Sequence, residues 1–391
     1  MQNKHILLSS SILPGWGTGT RIILKRHLEM LERKGWHISV IVPESYLKLT
    51  KDFPKTWNVV FLPFRRWWWL PYRQEVRALR NFRLSVFQYE CEKTLKGNLP
   101  TAILTHLSGS IYVELASYLS KEWGVPLSVL CHDREEFFAN SDLEFSSVKQ
   151  KCESILMQAQ QSWFVSPELE QSYNLKSKKK TSVLLPIPEF HNRKFIEWQS
   201  KFSLNPVVAH AGWLYPSQFS NFYSLAMALQ EINGSVLIVC PKDNPTLIKL
   251  LETCSNILHH DTFQTNSDVL NFLEDNATCI LVSYSFIESE QPWASTSFPS
   301  KLVEFSHLGL PVIIMAPRNI AISNWAESHS WIGYIDYLGD QIIRETISNI
   351  TKREKWLLMA KQTREVALNE FHPERIQRQF ESELARLDNY D

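Results

Sequence analysis

A strand–loop–helix–strand pattern opens the chain and recurs in its second half, and it constrains the fold more than any other feature. His5 to Leu8 is a short apolar run, followed by the turn-rich loop Pro14-Gly15-Trp16-Gly17-Thr18-Gly19-Thr20. Ile23, Leu24, His27, Leu28 and Leu31 then recur at three- and four-residue spacing, the period of one helix face. Gly35 stops that helix, and His37–Val42 reads as the next strand. Units of this kind build a doubly wound sheet. Further strands are predicted at Val59–Leu62, Ala102–Thr105, Leu127–Cys131, Trp163–Val165 and Val183–Leu185, with helical stretches between most of them.

A second set starts at Val207–His210 and runs through Val236–Cys240, Cys279–Val282 and Pro311–Met315. Helix-like segments lie near residues 219–232, 266–275, 300–308 and 340–351. The end, from Lys352 to Leu387, reads as helical with a break at His372-Pro373. Residues 186–206 hold three prolines, mixed charge and weak periodicity, so the interdomain linker is expected there. At 391 residues the chain suits two α/β domains better than one core. The predicted fold is two facing Rossmann-like domains with a cleft between them. They comprise residues 1–190 and 205–365, and a helical segment, 366–391, packs back toward the first.

Composition narrows the class. Six scattered cysteines without a Cys-x-x-Cys pair argue for buried thiols in a reducing compartment, against a disulfide framework or a zinc site. The apolar run at Ile6 to Leu8 is too short for a signal-peptide core, and no run reaches membrane-span length, so a cytosolic protein is expected. Net charge is zero, yet residues 1–195 carry 27 Lys and Arg against 18 Asp and Glu (+9), leaving 14 against 23 (−9). The first half therefore favours an anionic partner. No nucleic-acid motif accompanies the charge, which points to a membrane surface or a phosphate-bearing acceptor.

Two segments carry chemistry. Glycines between a strand and a helix let backbone N–H groups approach a phosphate at the helix N-terminus. Gly15 and Gly17 fit the dinucleotide pattern G-x-G-x-x-G, Thr20 breaks its third position, and Glu44 after the second strand is placed to hold a ribose. A dinucleotide-dependent oxidoreductase and a ligand-free turn are the alternatives for this loop. The second segment is Ser297-Phe298-Pro299-Ser300-Lys301-Leu302-Val303-Glu304-Phe305, followed by Gly309-Leu310-Pro311-Val312. Pro299 and Ser300 suit the opening of a helix, where N–H groups beside Lys301 form an anion site. Glu304, four residues after Ser300, shares its face and is placed to accept from ribose hydroxyls. A capped amphipathic helix with solvated Lys301 and Glu304 is the alternative.

In their order and spacing these segments resemble the GT-B glycosyltransferases of family 4 over nearly the whole chain. The opening loop, Leu28, Leu31 and Gly35-Trp36-His37-Ile38-Ser39-Val40 are similar to that family's glycine loop, helix and next strand, with Thr18-Gly19 where it usually has Gly-Gly. Cys131-His132-Asp133 resembles its mid-domain His-Asp segment, and Phe164-Val165-Ser166 a strand end. Ala211-Gly212-Trp213-Leu214 resembles the opening of its second domain. Pro299-Ser300-Lys301 through Glu304, with Gly309-Leu310-Pro311-Val312, is similar to its donor signature.

The resemblance implies a retaining transfer from a UDP- or GDP-sugar, bound mainly by the second domain, to a saccharide or lipid-linked acceptor held by the first. It places Gly17 and Gly19 at the donor phosphates, His132 at the donor sugar, and Ser300 and Lys301 at the diphosphate, with His132 and Lys301 catalytic. Glu304 would hold the ribose, with Pro241, Lys242, Thr262 and Phe263 around the nucleobase. A diphosphate leaving group demands fixed donors and cations, and no D-x-D metal motif occurs, so neither metal nor cofactor is expected. Trp213 stands where many members have Arg, no Lys or Arg follows before Lys242, and Thr296 stands where a paired-glutamate pattern needs Glu. Lys301, with Arg318, must then supply the positive charge. The alternative is a non-catalytic GT-B-like binding or scaffold subunit.

Other features have plainer readings. His132 can be a satisfied turn residue, and Asp133, Glu135 and Glu136 read as a solvated helix start. His259 and His260 are adjacent on a strand and point to opposite faces, which disfavours a shared metal ion. Lys178–Lys180 reads as an exposed loop. Arg65-Arg66-Trp67-Trp68-Trp69 mixes cations with interfacial aromatics, and Arg73, Arg77 and Arg80 form a helical stripe opposite Leu79, Phe82 and Val86. That surface is expected to meet anionic lipid or the acceptor, with burial of the tryptophans as the alternative.

Overall fold

The structure is a computed structural model that describes residues 4–17, 19–62, 77–108, 110–139, 141–173, 175, 180–189 and 194–389. Trp67, Trp68 and Arg73 lie outside the described residues, as do the side chains of Arg77 and Arg80. Contacts divide the chain into two compact units, residues 1–185 with 377–391, and residues 186–376.

In the first unit, strands β1 (His5–Leu8), β2 (His37–Pro43), β3 (Asn58–Leu62), β4 (Ala102–His106), β5 (Leu127–Cys131), β6 (Gln161–Phe164) and β7 (Lys180–Val183) form one parallel sheet in the order β3-β2-β1-β4-β5-β6-β7. Helices α1 (Gly19–Arg33), α2 (Arg77–Leu95), α3 (Ile111–Trp123), α4 (Asp142–Gln158) and α5 (Pro167–Ser172) lie between the strands in sequence. β1, β4 and β5 are buried at every position, which is why they read as mainly apolar runs without strict alternation. The order reverses between β1 and β4, the switch point beyond whose carboxyl ends such sheets bind ligands.

The second unit repeats the plan. β8 (Val207–Ala211), β9 (Ser235–Val239), β10 (Ile257–His260), β11 (Cys279–Ser283), β12 (Val312–Met315) and β13 (Tyr334–Ile335) form a parallel sheet in the order β10-β9-β8-β11-β12-β13. Its helices are α6 (Lys201–Leu204), α7 (Phe219–Gln230), α8 (Pro245–Thr253), α9 (Asn266–Asn276), α10 (Ser300–Phe305), α11 (Ala321–Ser328), α12 (Asp340–Thr351) and α13 (Arg353–Asn369). The last helix, α14 (Pro373–Ala385), belongs from Gln377 onward to the first unit. There Glu383 accepts from Trp163 Nε1 and Ser182 Oγ, each at 2.6 Å, and Phe380 packs on Trp163. His27 Nδ1 donates to Gln377 Oε1 at 2.7 Å, and burial lowers this imidazole to about 4, so it is neutral.

Residues 186–206, read as a linker from their prolines, are built into the second unit. Ile196 N–H donates to Leu308 O, and Trp198 meets both Phe202 and Trp356 edge-on. Aromatic anchoring, which leaves no periodic signal, holds this segment. In α2 the buried face carries Leu84, Phe87, Cys91 and Leu95, whereas Phe82 is 54% exposed. The expected apolar face through Phe82 is therefore corrected, because two overlapping sets share helical spacing and the richer one faces the core. The predicted helix over 300–308 is α10 followed by a tight 3₁₀ turn, Ser306–Leu308, closed by Gly309 at φ 70°. All six cysteines are buried and unpaired. Among the described residues no helix is long and apolar enough to cross a membrane.

Candidate functional site

In the second unit the candidate residues follow β9 and β10 or stand on α10, after β11. Near the end of β8, the buried His210 turns Nδ1 toward the carbonyl oxygen of Leu281 at 3.2 Å. A carbonyl only accepts, so Nδ1 carries the proton and Nε2 presents a lone pair. Lys301, second residue of α10, brings Nζ to 3.3 Å from that Nε2. Burial first, then the lysine's charge, hold His210 far below its usual range, so the ring is neutral. Burial likewise lowers Lys301 to about 8. Among the described residues Lys301 makes no ion pair. A half-buried ammonium held by a neutral base has its position set while its charge is not cancelled.

The backbone makes room for this arrangement. Gly212 follows β8 at φ 124°, and a Cβ there would collide with Lys301 Nζ and Cε. Glycine is required twice over, for the conformation and for the close approach. Ser300 opens α10 beside Lys301, behind the buried Pro299. Arg318, the other expected cation, is exposed and paired with Asp336.

Glu304 is buried further along α10. Its carboxylate accepts from Asn266 Nδ2 at 2.5 Å and from the Glu189 N–H at 3.3 Å. Glu189 in turn accepts from Asn266 Nδ2 and Ser267 Oγ. One amide thus bridges two carboxylates and ties residue 189 to the start of α9. The alternative of a solvated Glu304 on a plain amphipathic helix does not hold. It is a buried acceptor with hydrogen-bonded donors.

Pro241 is half-buried and Lys242 exposed just after β9. Beyond β10, Thr262 is exposed, and Phe263 lies flat on His260, with centroids 4.3 Å apart at 5°. His259 Nε2 donates to Cys240 O, while His260 Nδ1 donates to Asp261 O.

In the first unit, Gly17 and Gly19 are exposed at the opening of α1. The loop wraps the Arg21 side chain: its Nε donates to Leu13 O, and a Cβ on Gly15 would lie 2.7 Å from its Nη2. The Gly15 N–H itself donates to Arg21 O, so this part of the loop is built around Arg21. His132 follows β5, buried and stacked on His106, with centroids 5.1 Å apart at 28°. Burial lowers His106 to about 4 and His132 far below its usual range, so both are neutral. Neither His106 nitrogen nor Nδ1 of His132 has a hydrogen-bond partner among the described residues.

The acidic cluster after His132 is not a solvated helix start. Glu136 is fully buried and ion-paired to Arg134 at 2.6 Å, and Tyr173 OH donates to it at 3.4 Å. Glu135 is raised to about 7, by burial first and then by Asp133 and Glu136. Sequence reading missed Arg21, Glu189, His210 and Asn266. For His210 a signal existed, a histidine inside an apolar strand two residues before a glycine. For Asn266 and Glu189 none did, since their partners are distant in sequence.

No family model matches the chain, and no curated protein matches it. Solved structures do. Sucrose-phosphate synthase from Thermosynechococcus elongatus is 14% identical, with 99% of both chains covered and a TM-score of 0.69. HepE of Anabaena, solved with UDP and glucose, is 14% identical over 98% of this chain and 100% of that one, at 0.66. WaaG, a glycosyltransferase involved in lipopolysaccharide biosynthesis, is 13% identical over 96% and 98%, at 0.60. At such identity the likeness is one of fold. The chain has the GT-B architecture of two parallel-sheet Rossmann-like domains.

Proposed function

We propose that this chain is a retaining, metal-independent glycosyltransferase that moves a hexosyl group from a UDP- or GDP-sugar to a saccharide or lipid-linked acceptor in polysaccharide or glycoconjugate assembly. The observation that carries this reading is Lys301 on His210 above Gly212, a cation with no ion-pair partner among the described residues, at the carboxyl edge of the second sheet. Transfer from a nucleotide sugar expels a diphosphate, and a preorganised cation stabilises the charge that develops on it. His210 positions the lysine and stays neutral, so it does not repel the ammonium. Glu304, held by Asn266, supplies a carboxylate for ribose hydroxyls, and Phe263 on His260 an aromatic ledge for the base. The fold neighbour HepE, captured with UDP and glucose, adds support.

Hydrolysis of a panel of UDP- and GDP-sugars, with and without added acceptor, tests the proposal. Turnover of at least one donor is expected, falling on the order of a hundredfold in Lys301→Ala. Absence of both turnover and nucleotide binding across the panel sinks it. Binding without turnover selects the second reading, a non-catalytic nucleotide-binding subunit, which is favoured by the commitment of Arg318 to Asp336 and by Trp213 in place of a cation.

A further inference from the structure

The order of the second sheet, β10-β9-β8-β11-β12-β13, reverses between β8 and β11, the switch point at which such sheets bind ligands. Two loops leave it. One runs from Gly212, packed on Lys301, through Trp213, Leu214 and Tyr215. The other runs from Tyr284 past Trp293 and leads to α10, which carries Lys301.

Both loops are fixed by buried side-chain amides. Gln218 accepts from the Tyr215 N–H at 3.0 Å and donates to the Ser283 carbonyl oxygen. Asn221 donates to Ser283 Oγ at 2.8 Å and to Tyr284 O at 2.7 Å. Asn244, at the start of α8, donates to Leu214 O at 3.0 Å, and Gln291 accepts from the Ser285 N–H at 2.8 Å. On this frame the chain holds aromatic rings at the surface. Trp213 is 47% and Tyr215 39% exposed, and Trp293 meets Tyr215 with centroids 5.6 Å apart. Rings carried on a fixed backbone lose little freedom when a ligand packs on them.

Position along the sheet edge decides which part of a ligand meets these rings. Phe263 follows β10, Gly212 with Lys301 follows β8, and Trp293 follows β11. Neighbouring strands lie about 4.8 Å apart, so β10 and β8 are separated by about 10 Å. A nucleoside diphosphate spans that gap from base to terminal phosphate. Laid with its base on Phe263 and its diphosphate at Lys301, it directs the group on its terminal phosphate toward the β8 and β11 loops. Consecutive Cα atoms are about 3.8 Å apart, so the Trp213 indole starts one residue from the glycine that meets the ammonium. The C–H face of a hexosyl group packs on an aromatic ring, and its hydroxyls stay hydrated at the rim.

We infer that Trp213, Tyr215 and Trp293 take the hexosyl group of a nucleotide sugar by its C–H face, so that stacking holds the sugar where charge at Lys301 holds the diphosphate. The inference rests on the proposed function, because it presumes a nucleotide at Lys301. Calorimetry on the full chain, with UDP and GDP against UDP-glucose, UDP-galactose, UDP-N-acetylglucosamine and GDP-mannose, tests it. Trp213→Ala and Tyr215→Ala are each expected to weaken the tightest nucleotide sugar about tenfold, and the free nucleotide by less than about twofold. Trp213→Phe, which keeps an aromatic face, is expected to retain most of the sugar's affinity. Both positions are exposed, and an unchanged thermal midpoint verifies that each variant is folded. Equal losses of nucleotide and nucleotide sugar place the rings at the nucleotide and overturn the inference. Native affinity for every ligand in both alanine variants overturns it too, as does a loss in Trp213→Phe as large as in Trp213→Ala. Those outcomes leave the proposed function standing. A native chain that binds neither nucleotide nor nucleotide sugar removes that function, and this inference with it.

Discussion

The ammonium of Lys301 rests 3.3 Å from Nε2 of His210, whose other ring nitrogen is committed to the carbonyl oxygen of Leu281. A lysine held by a carboxylate has its charge cancelled. This one is held by a lone pair, so its position is set while its charge stays available. Removing Gly212 tests the geometry without touching either side chain. Gly212→Ala places a methyl group against Nζ and forces φ 124° on a residue with a Cβ. The strain costs about 1–3 kcal/mol of stability, and the displaced lysine lowers nucleotide affinity on the order of tenfold. Calorimetry with UDP and GDP reads the affinity, and native affinity in a folded Gly212→Ala protein removes Lys301 from the donor site.

The depressed Lys301 sets a pH dependence with a definite sign. A lysine lowered from 10.5 to about 8 is charged below that value and loses its charge as pH rises through it. Affinity for a diphosphate should therefore be flat below neutrality and decline above about pH 8, while binding itself takes up protons near that pH. Between about pH 8 and 10.5 the unfolded chain holds the extra proton, so this group makes the fold more stable as pH rises. Nucleotide titrations at about pH 7 and about pH 10 provide the check. Equal affinity at both, in a protein that loses binding in Lys301→Ala, contradicts the lowered value.

Glu304 has two duties that separate by substitution. Glu304→Ala removes one of the two acceptors of the Asn266 amide and the acceptor of the Glu189 N–H, and is expected to cost about 1–3 kcal/mol of stability. Glu304→Gln keeps the shape and one acceptor oxygen but removes the charge. It is expected to fold, and to lose about tenfold in nucleotide affinity if the carboxylate accepts from a ribose. Thermal melts and calorimetry on both variants divide the roles, and native affinity in Glu304→Gln assigns Glu304 to structure alone.

Much of the fold was legible because its central strands are buried on both faces. Runs such as Ala102 to Thr105 and Cys279 to Val282 can be little else. Strand β10 was harder, since Leu258 is 45% exposed and two histidines interrupt it. Helix α8 carried a readable start, Asn244 capping Thr246 and Leu247 before Pro245, that only capping logic would have found. That Ser300, Lys301 and Glu304 share one short helix was legible from their spacing. His210 and Asn266 were not, because what matters is their pairing with Lys301 and Glu304 across 91 and 38 residues. Glu135 was misjudged for the same reason: burial by the surrounding fold turns a charge cluster into a poised carboxyl group.

The basic stripe of the first half calls for a measurement of its own. Arg77 and Arg80 belong to helix α2, and Arg73 precedes them at helical spacing in sequence. Trp67 and Trp68 precede this stripe in sequence. Each arginine near anionic lipid adds about 1 kcal/mol, and tryptophans favour the headgroup level. The expected outcome in liposome sedimentation is binding that requires anionic lipid and falls with salt. Reversing Arg73, Arg77 and Arg80 to Glu should abolish it while leaving nucleotide affinity unchanged, because Lys301 belongs to the other unit. Equal pelleting with neutral and anionic vesicles, or none with either, removes the membrane from the account and leaves a soluble acceptor.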